Sequence, residues 1–147
     1  MDYETIRQGM AAAIPFNTHI GLEVTELEAG RATVRLPDDE RLRNHVASQH
    51  ASGLFAAAEA ASGGAFVGAF AERLGELTPL ASGAEIRYEK LARGPIDARA
   101  ELPEAAELLD RLDAEGKVAF PIDVTLSNAQ GETVATATVQ WHVRKRA

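Results

Sequence analysis

Glu59 is the residue of this sequence whose type and surroundings most clearly suggest chemistry. It is the only ionisable side chain between Ala51 and Ala71, a stretch of small and apolar residues. Burial among such residues raises the pKa of a carboxyl group unless a partner stabilises the charged form. Such a carboxylate is a candidate general base or nucleophile. The alternative is a structural Glu that faces solvent or makes a hydrogen bond at a subunit interface.

Asn44 and His50 precede Glu59 in the stretch NHVASQHASGLFAAAEAASG, residues 44 to 63. A helix that begins near His50 would leave the backbone N–H groups of its first turn without partners. Those of Ser52 and Gly53 could then stabilise developing negative charge as an oxyanion hole, and Asn44 could donate to a substrate carbonyl. His50 and Ser52 could equally be helix caps, and Asn44 a turn residue. Asn44, His50 and Glu59 are therefore candidate catalytic residues, with a structural role open for each.

Other kinds of chemistry find less support in the sequence. His45, His50 and Glu59 are metal-ligand types, but spacings of five and nine match no helical ligand pair such as HExxH, so we predict no metal. Neither a phosphate-binding glycine loop nor a GxSxG motif is present. The chain has no cysteine, which excludes disulfides and thiolate catalysis.

A long helix should carry Glu59, because apolar residues recur at helical spacing from Ala51 to Leu74. It is apolar nearly all round, which predicts burial. An amphipathic helix over 2–13 and a β-hairpin over 21–37 precede it. Alternating residues after it predict four strands, which begin near Ala84, Ile96, Val118 and Ala135. Tight turns between strands favour an antiparallel sheet, so the fold class is α+β.

The composition fits one globular domain over residues 1–147, with 46% hydrophobic and 25% charged residues. There are 15 Lys and Arg against 22 Asp and Glu, so the formal charge is −7 and nucleic acid is a poor candidate partner. No secretory signal is apparent, and the Ala- and Gly-rich helix is not a good membrane span. We therefore expect a cytoplasmic protein that does not bind a membrane.

The segments together resemble the hotdog-fold acyl-CoA thioesterases, in the broad phenylacetyl-CoA thioesterase-like superfamily. In that family an Asn precedes a His-Gly-Gly at the helix start, and an Asp or Glu follows nine residues after the His. Asn44, His50 and Glu59 match that order and spacing. GLEVTELEAGRATVRLP and GETVATATVQWHV resemble the family's first hairpin and a later strand. The likeness runs from about Pro15 to Val143, and Ala51-Ser52 in place of Gly-Gly resembles a less characterised branch.

The resemblance implies a curved antiparallel sheet wrapped around the central helix. It also implies a homodimer or a dimer of dimers, with active sites at the subunit boundary. The activity would be hydrolysis of an acyl-CoA to a free acid and coenzyme A, with Glu59 as general base or nucleophile. Coenzyme A enters as part of the substrate, and no separate cofactor is expected.

The resemblance also suggests binding residues. The backbone N–H of Ala51 would join the oxyanion hole, and Ser82 lies near the place where many relatives hold the attacking water. Arg87, Lys90 and Arg93 would bind the coenzyme A phosphates, although basic residues along a strand are also common as surface charge. The acyl group would lie beside the helix, where small residues leave room; these are Ala57, Ala58 and Ala61.

Two alternatives remain within the same fold. One is a non-catalytic protein that binds acyl-CoA or lipid, in which Glu59 makes a buried structural hydrogen bond. The other is a hydroxyacyl-thioester dehydratase, whose His and Glu are fourteen residues apart, as His45 and Glu59 are. Those enzymes have a Pro- and Gly-rich stretch between the pair, whereas this chain has no Pro from Asp38 to Thr78. The thioesterase is therefore the favoured hypothesis.

Overall fold

The structure is a computed structural model that describes all 147 residues. Its four α-helices are α1 (Tyr3–Ala13), α2 (Pro15–His19), α3 (Ala51–Ala69) and α4 (Ala105–Glu115). Its six strands are β1 (Glu23–Glu28), β2 (Arg31–Leu36), β3 (Leu77–Tyr88), β4 (Ile96–Glu101), β5 (Lys117–Ser127) and β6 (Thr133–Lys145). Short 3₁₀ turns occupy Glu40–Leu42 and Ala71–Glu76.

All six strands form one antiparallel sheet in the order β1-β2-β4-β5-β6-β3. Helix α3 packs across one face of this sheet, mainly against β2 and β4. The predicted α+β class is confirmed, and so is the first hairpin, whose turn places Gly30 at φ +70°. The segment over 103–116, which carries helically spaced leucines, forms α4 and ends at Gly116 with φ +78°.

Helix α3 is shorter than its periodicity predicts. Its last helical residue is Ala69 rather than Leu74, because Phe70 leaves the helical conformation and stacks on Phe66 with ring centroids 4.7 Å apart. Strand β3 consequently begins at Leu77, well before Ala84. None of the helices combines the length and the apolar character that crossing a bilayer requires.

The early part of β3 was hidden from sequence patterning by Pro79 and by a bulge between Ala81 and Gly83. Both features are typical of an edge strand, where a missing N–H donor and a shift in register are tolerated. Strand β3 is such an edge, and its residues from Leu80 to Glu85 are all exposed. The structure therefore leaves this side of the sheet open.

Two glycines of α3 let the helix approach the first hairpin closely. A Cβ built on Gly64 would lie 2.6 Å from the Cβ of Ala32. A Cβ built on Gly68 would lie 1.9 Å from the backbone oxygen of Glu28. Real atoms do not approach so closely, so a larger residue at either position would push α3 away from the sheet. The absence of side chains at Gly64 and Gly68 therefore helps to set the position of the helix that carries Glu59.

We expect Gly68→Ala to lower the free energy of unfolding by about 3 kcal/mol, the upper end of typical overpacking costs. The reason is that the new methyl group meets the Glu28 carbonyl, a backbone atom that cannot rotate away. Gly9→Ala is the control, because Gly9 is exposed within α1 and a Cβ added there would have no neighbouring atom within 4 Å. That change should stabilise by about 0.5–1 kcal/mol. Equal unfolding midpoints in urea for the two variants would contradict the close approach.

Candidate active site

Glu59 lies in the third turn of α3, half-buried, at a point where two cavities meet. Its carboxylate makes no hydrogen bond and no salt bridge, while its backbone oxygen accepts the Ser62 hydroxyl at 2.7 Å. Burial raises the pKa of the Glu59 carboxyl above its ordinary value, with no charged partner opposing the shift. No positively charged group therefore balances the Glu59 carboxylate, as the sequence predicts for an isolated buried acid.

The other carboxylates with shifted pKa values behave in the opposite way. Arginine partners lower the pKa values of Glu4, Asp39 and Asp113 to about 2 each, and those of Asp2 and Glu132 are also lowered. Such groups are anions with hydrogen-bonded partners and accept protons poorly. Glu59 is the one acidic side chain whose pKa moves upward, which makes it the best proton acceptor among them.

The inner cavity extends from Glu59 between α1, α3 and the sheet, with a volume of about 300 Å³. Helix α3 lines it with Ala60, Gly63, Phe66 and Val67 in addition to Glu59. The expectation that Ala57, Ala58 and Ala61 leave this room is wrong: all three are fully buried against the sheet. Residues four apart share a helix face, so the cavity follows the face of Glu59 and Gly63 instead.

The outer cavity, of about 490 Å³, runs from Glu59 along α3 to the start of the helix. Ala51, Ser52 and Phe55 line its helical side. Three residues from other elements complete it: Phe16, Asn17 and Tyr88. Phe16 and Tyr88 are 60% and 49% exposed, so the cavity opens through an apolar surface.

Asn17 is a residue that sequence patterning did not select. It lines both cavities together with Glu59, and its side-chain amide makes no hydrogen bond. The sequence carries little signal for it, because Asn17 is followed by two more polar residues, Thr18 and His19, and short loops often contain Asn. The structure therefore adds a free amide group beside the carboxylate.

The first turn of α3 offers one free backbone donor, and it belongs to Ala51. The N–H of Ser52 donates to His50 Nδ1 at 2.9 Å, and the N–H of Gly53 donates to the His50 carbonyl at 3.0 Å. The N–H of Ala51 makes no hydrogen bond, and Ala51 is one of the residues that line the outer cavity. His50 is thus the N-cap of the helix, which is the structural alternative to a catalytic role. It accepts hydrogen bonds from the N–H groups of Ser52 and Gly53, the two donors that were predicted for the oxyanion hole.

Asn44 is placed in the loop before the helix and not on either cavity. Its side-chain oxygen accepts the backbone N–H groups of Val46 and Ser48 at 3.0 and 3.1 Å. This turn shapes the approach to His50. His45, in the same loop, is exposed and lines neither cavity.

The helix start is fastened to the loop that follows β3. The Ser48 hydroxyl donates to the Ala92 carbonyl at 3.1 Å and accepts the Ala92 N–H at 2.8 Å. The Gln49 N–H also donates to the Ala92 carbonyl, at 2.7 Å. These bonds hold residues 90–93 next to the start of α3.

The remaining predicted binding residues lie outside the two cavities. Ser82 sits at the β3 bulge, and its hydroxyl donates to the Gln140 carbonyl at 3.3 Å. Arg87 pairs in register with Thr136, on the sheet face that points away from α3. Lys90 forms an ion pair with Glu132 at 2.8 Å. Arg93 is exposed, forms no ion pair and lies in the loop that is hydrogen-bonded to the helix start.

Comparison with known proteins finds a matching family model and several solved structures with a similar fold. Residues 3–143 match a family model described as "Domain of unknown function (DUF4442)". A search of curated proteins finds no match. Among solved structures, a Pseudomonas aeruginosa protein described as a probable thioesterase is similar over 99% of this chain and 97% of its own, with 26% identity and a TM-score of 0.89.

Two further structures share the fold at lower identity. One is a thioesterase family protein from Silicibacter pomeroyi, with 20% identity, a TM-score of 0.78, and coverage of 98% of this chain and 99% of that one. The other is the Escherichia coli PaaI protein from the phenylacetic acid degradation operon, with 19% identity, a TM-score of 0.73, and coverage of 95% and 90%. The predicted hotdog fold is confirmed by these similarities.

Proposed function

The chain belongs to the DUF4442 family and has the hotdog fold of thioesterase-family proteins, and from this premise we propose that it hydrolyses acyl-CoA thioesters. One observation carries the proposal: an unpaired carboxylate with a raised pKa lies at the junction of an apolar cavity and an open one. The apolar cavity fits an acyl group, and the open one fits the thioester and the arm that leads to the nucleotide.

In the proposed reaction, Glu59 takes a proton from a water molecule whose oxygen attacks the thioester carbonyl carbon. The carbonyl oxygen becomes an oxyanion, which accepts a hydrogen bond from the Ala51 N–H. The carbon–sulfur bond then breaks, and Glu59 returns the proton to the departing thiolate. Asn17 supplies an amide that can hold the water beside Glu59, while His50 and Asn44 position the helix start.

Within one chain, Ala51 and Glu59 are two helical turns apart, or about 12 Å along the axis. Groups that act on one thioester must each lie within hydrogen-bond reach of the reacting atoms. We propose that each site combines Ala51 of one protomer with Glu59 of the partner subunit. The exposed apolar side chains around the outer cavity, Phe16 and Tyr88, support a second copy at this surface.

The open edge of the sheet supports the same assembly. Strand β3 leaves backbone N–H and C=O groups without partners along its outer side, a hazard that proteins usually cover. The opposite edge is partly protected, since Arg7 from α1 donates to the Val24 carbonyl of β1 at 2.6 Å. Pairing of two β3 strands in a homodimer, or in a dimer of dimers, would remove the exposed edge.

The nucleotide end of coenzyme A carries phosphates that need cations. Of the three predicted cations, Arg93 is free and Lys90 is paired with one exposed carboxylate. Both belong to the loop that Ser48 and Gln49 fasten to the helix start. We therefore propose that Lys90 and Arg93 bind the phosphates of coenzyme A. Arg87 would do so only where another subunit completes the binding site.

The proposal is tested by measuring release of free thiol from a panel of acyl-CoA substrates. Turnover of at least one substrate is expected, and its absence across the panel would overturn the proposal. Thermal stabilisation by acyl-CoA without turnover would instead indicate a binding protein. Reversible hydration of an enoyl thioester, followed by ultraviolet absorbance, would indicate a dehydratase, although His45 lines neither cavity that Glu59 lines.

We expect kcat/KM to rise with pH through the raised pKa of free Glu59, because only the carboxylate accepts a proton from water. The midpoint should lie above about 4.3, the value for an ordinary Glu. Salt should move this midpoint little, since burial rather than a charged partner raises the pKa. A rate that falls as pH rises through this range would contradict the general-base role.

A further inference from the structure

We infer that the inner cavity selects uncharged acyl groups of medium length, and that Gly63 determines this selection. The inference rests on the proposed function, since it names the acyl group of the thioester that Glu59 would hydrolyse. It follows from the charge and the length of the cavity and from the contact distance between Gly63 and Trp141 in its lining.

The lining of the cavity excludes a charged acyl group. Glu59 is its only titratable side chain, and Asn17 is the only other polar one. A terminal carboxylate, as in a succinyl group, would be buried without a cation and would share the cavity with the Glu59 carboxylate. Burying an unpaired charge in this way is strongly unfavourable.

The dimensions of the cavity limit the length of the acyl chain that it can hold. From Glu59 to Val67 the helix advances by eight residue steps, or about 12 Å along its axis. Its volume of about 300 Å³ is about twice that of an engineered 150 Å³ cavity that binds benzene. The space therefore fits on the order of ten carbon atoms.

Trp141 and Gly63 face each other in the lining of the cavity. Its Nε1–H donates to the Ser62 hydroxyl at 3.0 Å, and that hydroxyl donates to the Glu59 carbonyl, so the indole is held against α3. A Cβ built on Gly63 would lie 3.6 Å from Cζ2 of Trp141, an ordinary contact distance. The absence of a side chain at Gly63 thus leaves space along α3 between Glu59 and the lining residues Phe66 and Val67.

The test compares hydrolysis of butyryl-, octanoyl- and succinyl-CoA by the wild type and by Gly63→Leu. For the wild type we expect kcat/KM to increase about fourfold for each added methylene up to octanoyl, with succinyl-CoA the poorest substrate. In Gly63→Leu the octanoyl value should fall about tenfold or more, and the butyryl value should stay within about twofold. Gly9→Leu is the matched control on exposed α1 and should leave all three values unchanged.

A second readout does not depend on turnover. Trp141 is the only tryptophan of the chain, so its fluorescence reports directly on the cavity. Octanamide, a neutral probe, should change this fluorescence, and Gly63→Leu should weaken its binding about tenfold or more. Succinamic acid should not bind.

The two readouts separate the two proposals. Binding of octanamide without turnover of any thioester would overturn the proposed function and keep the cavity assignment. Turnover without chain-length preference, or equal losses for butyryl- and octanoyl-CoA in Gly63→Leu, would overturn the cavity assignment and keep the hydrolase.

Discussion

Replacing Glu59 by Gln is expected to lower kcat for acyl-CoA hydrolysis by about 10²–10⁴-fold, the usual contribution of a general base. Gln has nearly the shape of Glu but cannot accept a proton from water, so substrate binding should change little. Stopped-flow or steady-state measurement of thiol release would give the ratio. If Glu59→Gln keeps wild-type turnover, the proposed hydrolase activity is supported but Glu59 is not its general base.

The stability of the same variant provides the control. Because burial raises the folded-state pKa of Glu59, the native protein binds more protons than the unfolded chain between about pH 4.3 and that raised value. Stability therefore falls as pH rises through this window, and above it the ionised Glu59 costs free energy. Glu59→Gln should unfold at neutral pH at the same temperature as the wild type or higher. Loss of activity together with loss of stability would instead indicate a structural residue.

A binding site that destabilises its own fold is expected where activity needs a desolvated charge. The same feature made Glu59 visible in the sequence, since one acid among twenty small or apolar residues breaks the local pattern. The α+β class was equally accessible, because the alternating strands and the all-apolar helix each have a distinctive period. Global features that follow from periodicity could thus be predicted without coordinates.

The details of the site depended on contacts that periodicity does not encode. Asn44 and His50 have the residue types of catalytic groups, yet their hydrogen bonds go to the backbone of Ser48 and Ser52. Capping and catalysis use the same polar side chains, so spacing alone could not separate them. Asn17 lines the same two cavities as Glu59 only because the fold brings α2 and α3 to them, a tertiary arrangement with no sequence period.

The position of the acyl cavity was mispredicted for a related reason. A helix that is apolar nearly all round does not show which of its faces meets the sheet. Ala57 and Ala61 face the sheet and are fully buried, whereas Gly63 faces Trp141 and lines the cavity. The rotation of the helix is set by tertiary packing against the sheet, including the close approach of Gly64 and Gly68 to the first hairpin.

Ala51→Pro is expected to lower kcat about 10²–10³-fold, as removal of one oxyanion donor does elsewhere. The change deletes the single free N–H of the first turn. The helix should tolerate it, because proline is favoured at the first helical position. His50 also has the extended conformation that a residue before proline prefers, with φ −67° and ψ 142°. Ala51→Gly keeps the N–H and should retain activity, so this pair separates the donor from the side chain.

Mixing the two inactive variants tests where the two groups meet. If each site uses Ala51 of one protomer and Glu59 of the partner subunit, a mixed dimer of Glu59→Gln and Ala51→Pro contains one intact site and one that lacks both groups. Random exchange makes about half of the dimers mixed, so activity should return to about a quarter of the wild-type value. If both groups act within one protomer, every site in the mixture lacks one of them, and exchange restores nothing. Recovery after co-refolding, measured against the unmixed variants, therefore decides whether the sites form across the subunit boundary.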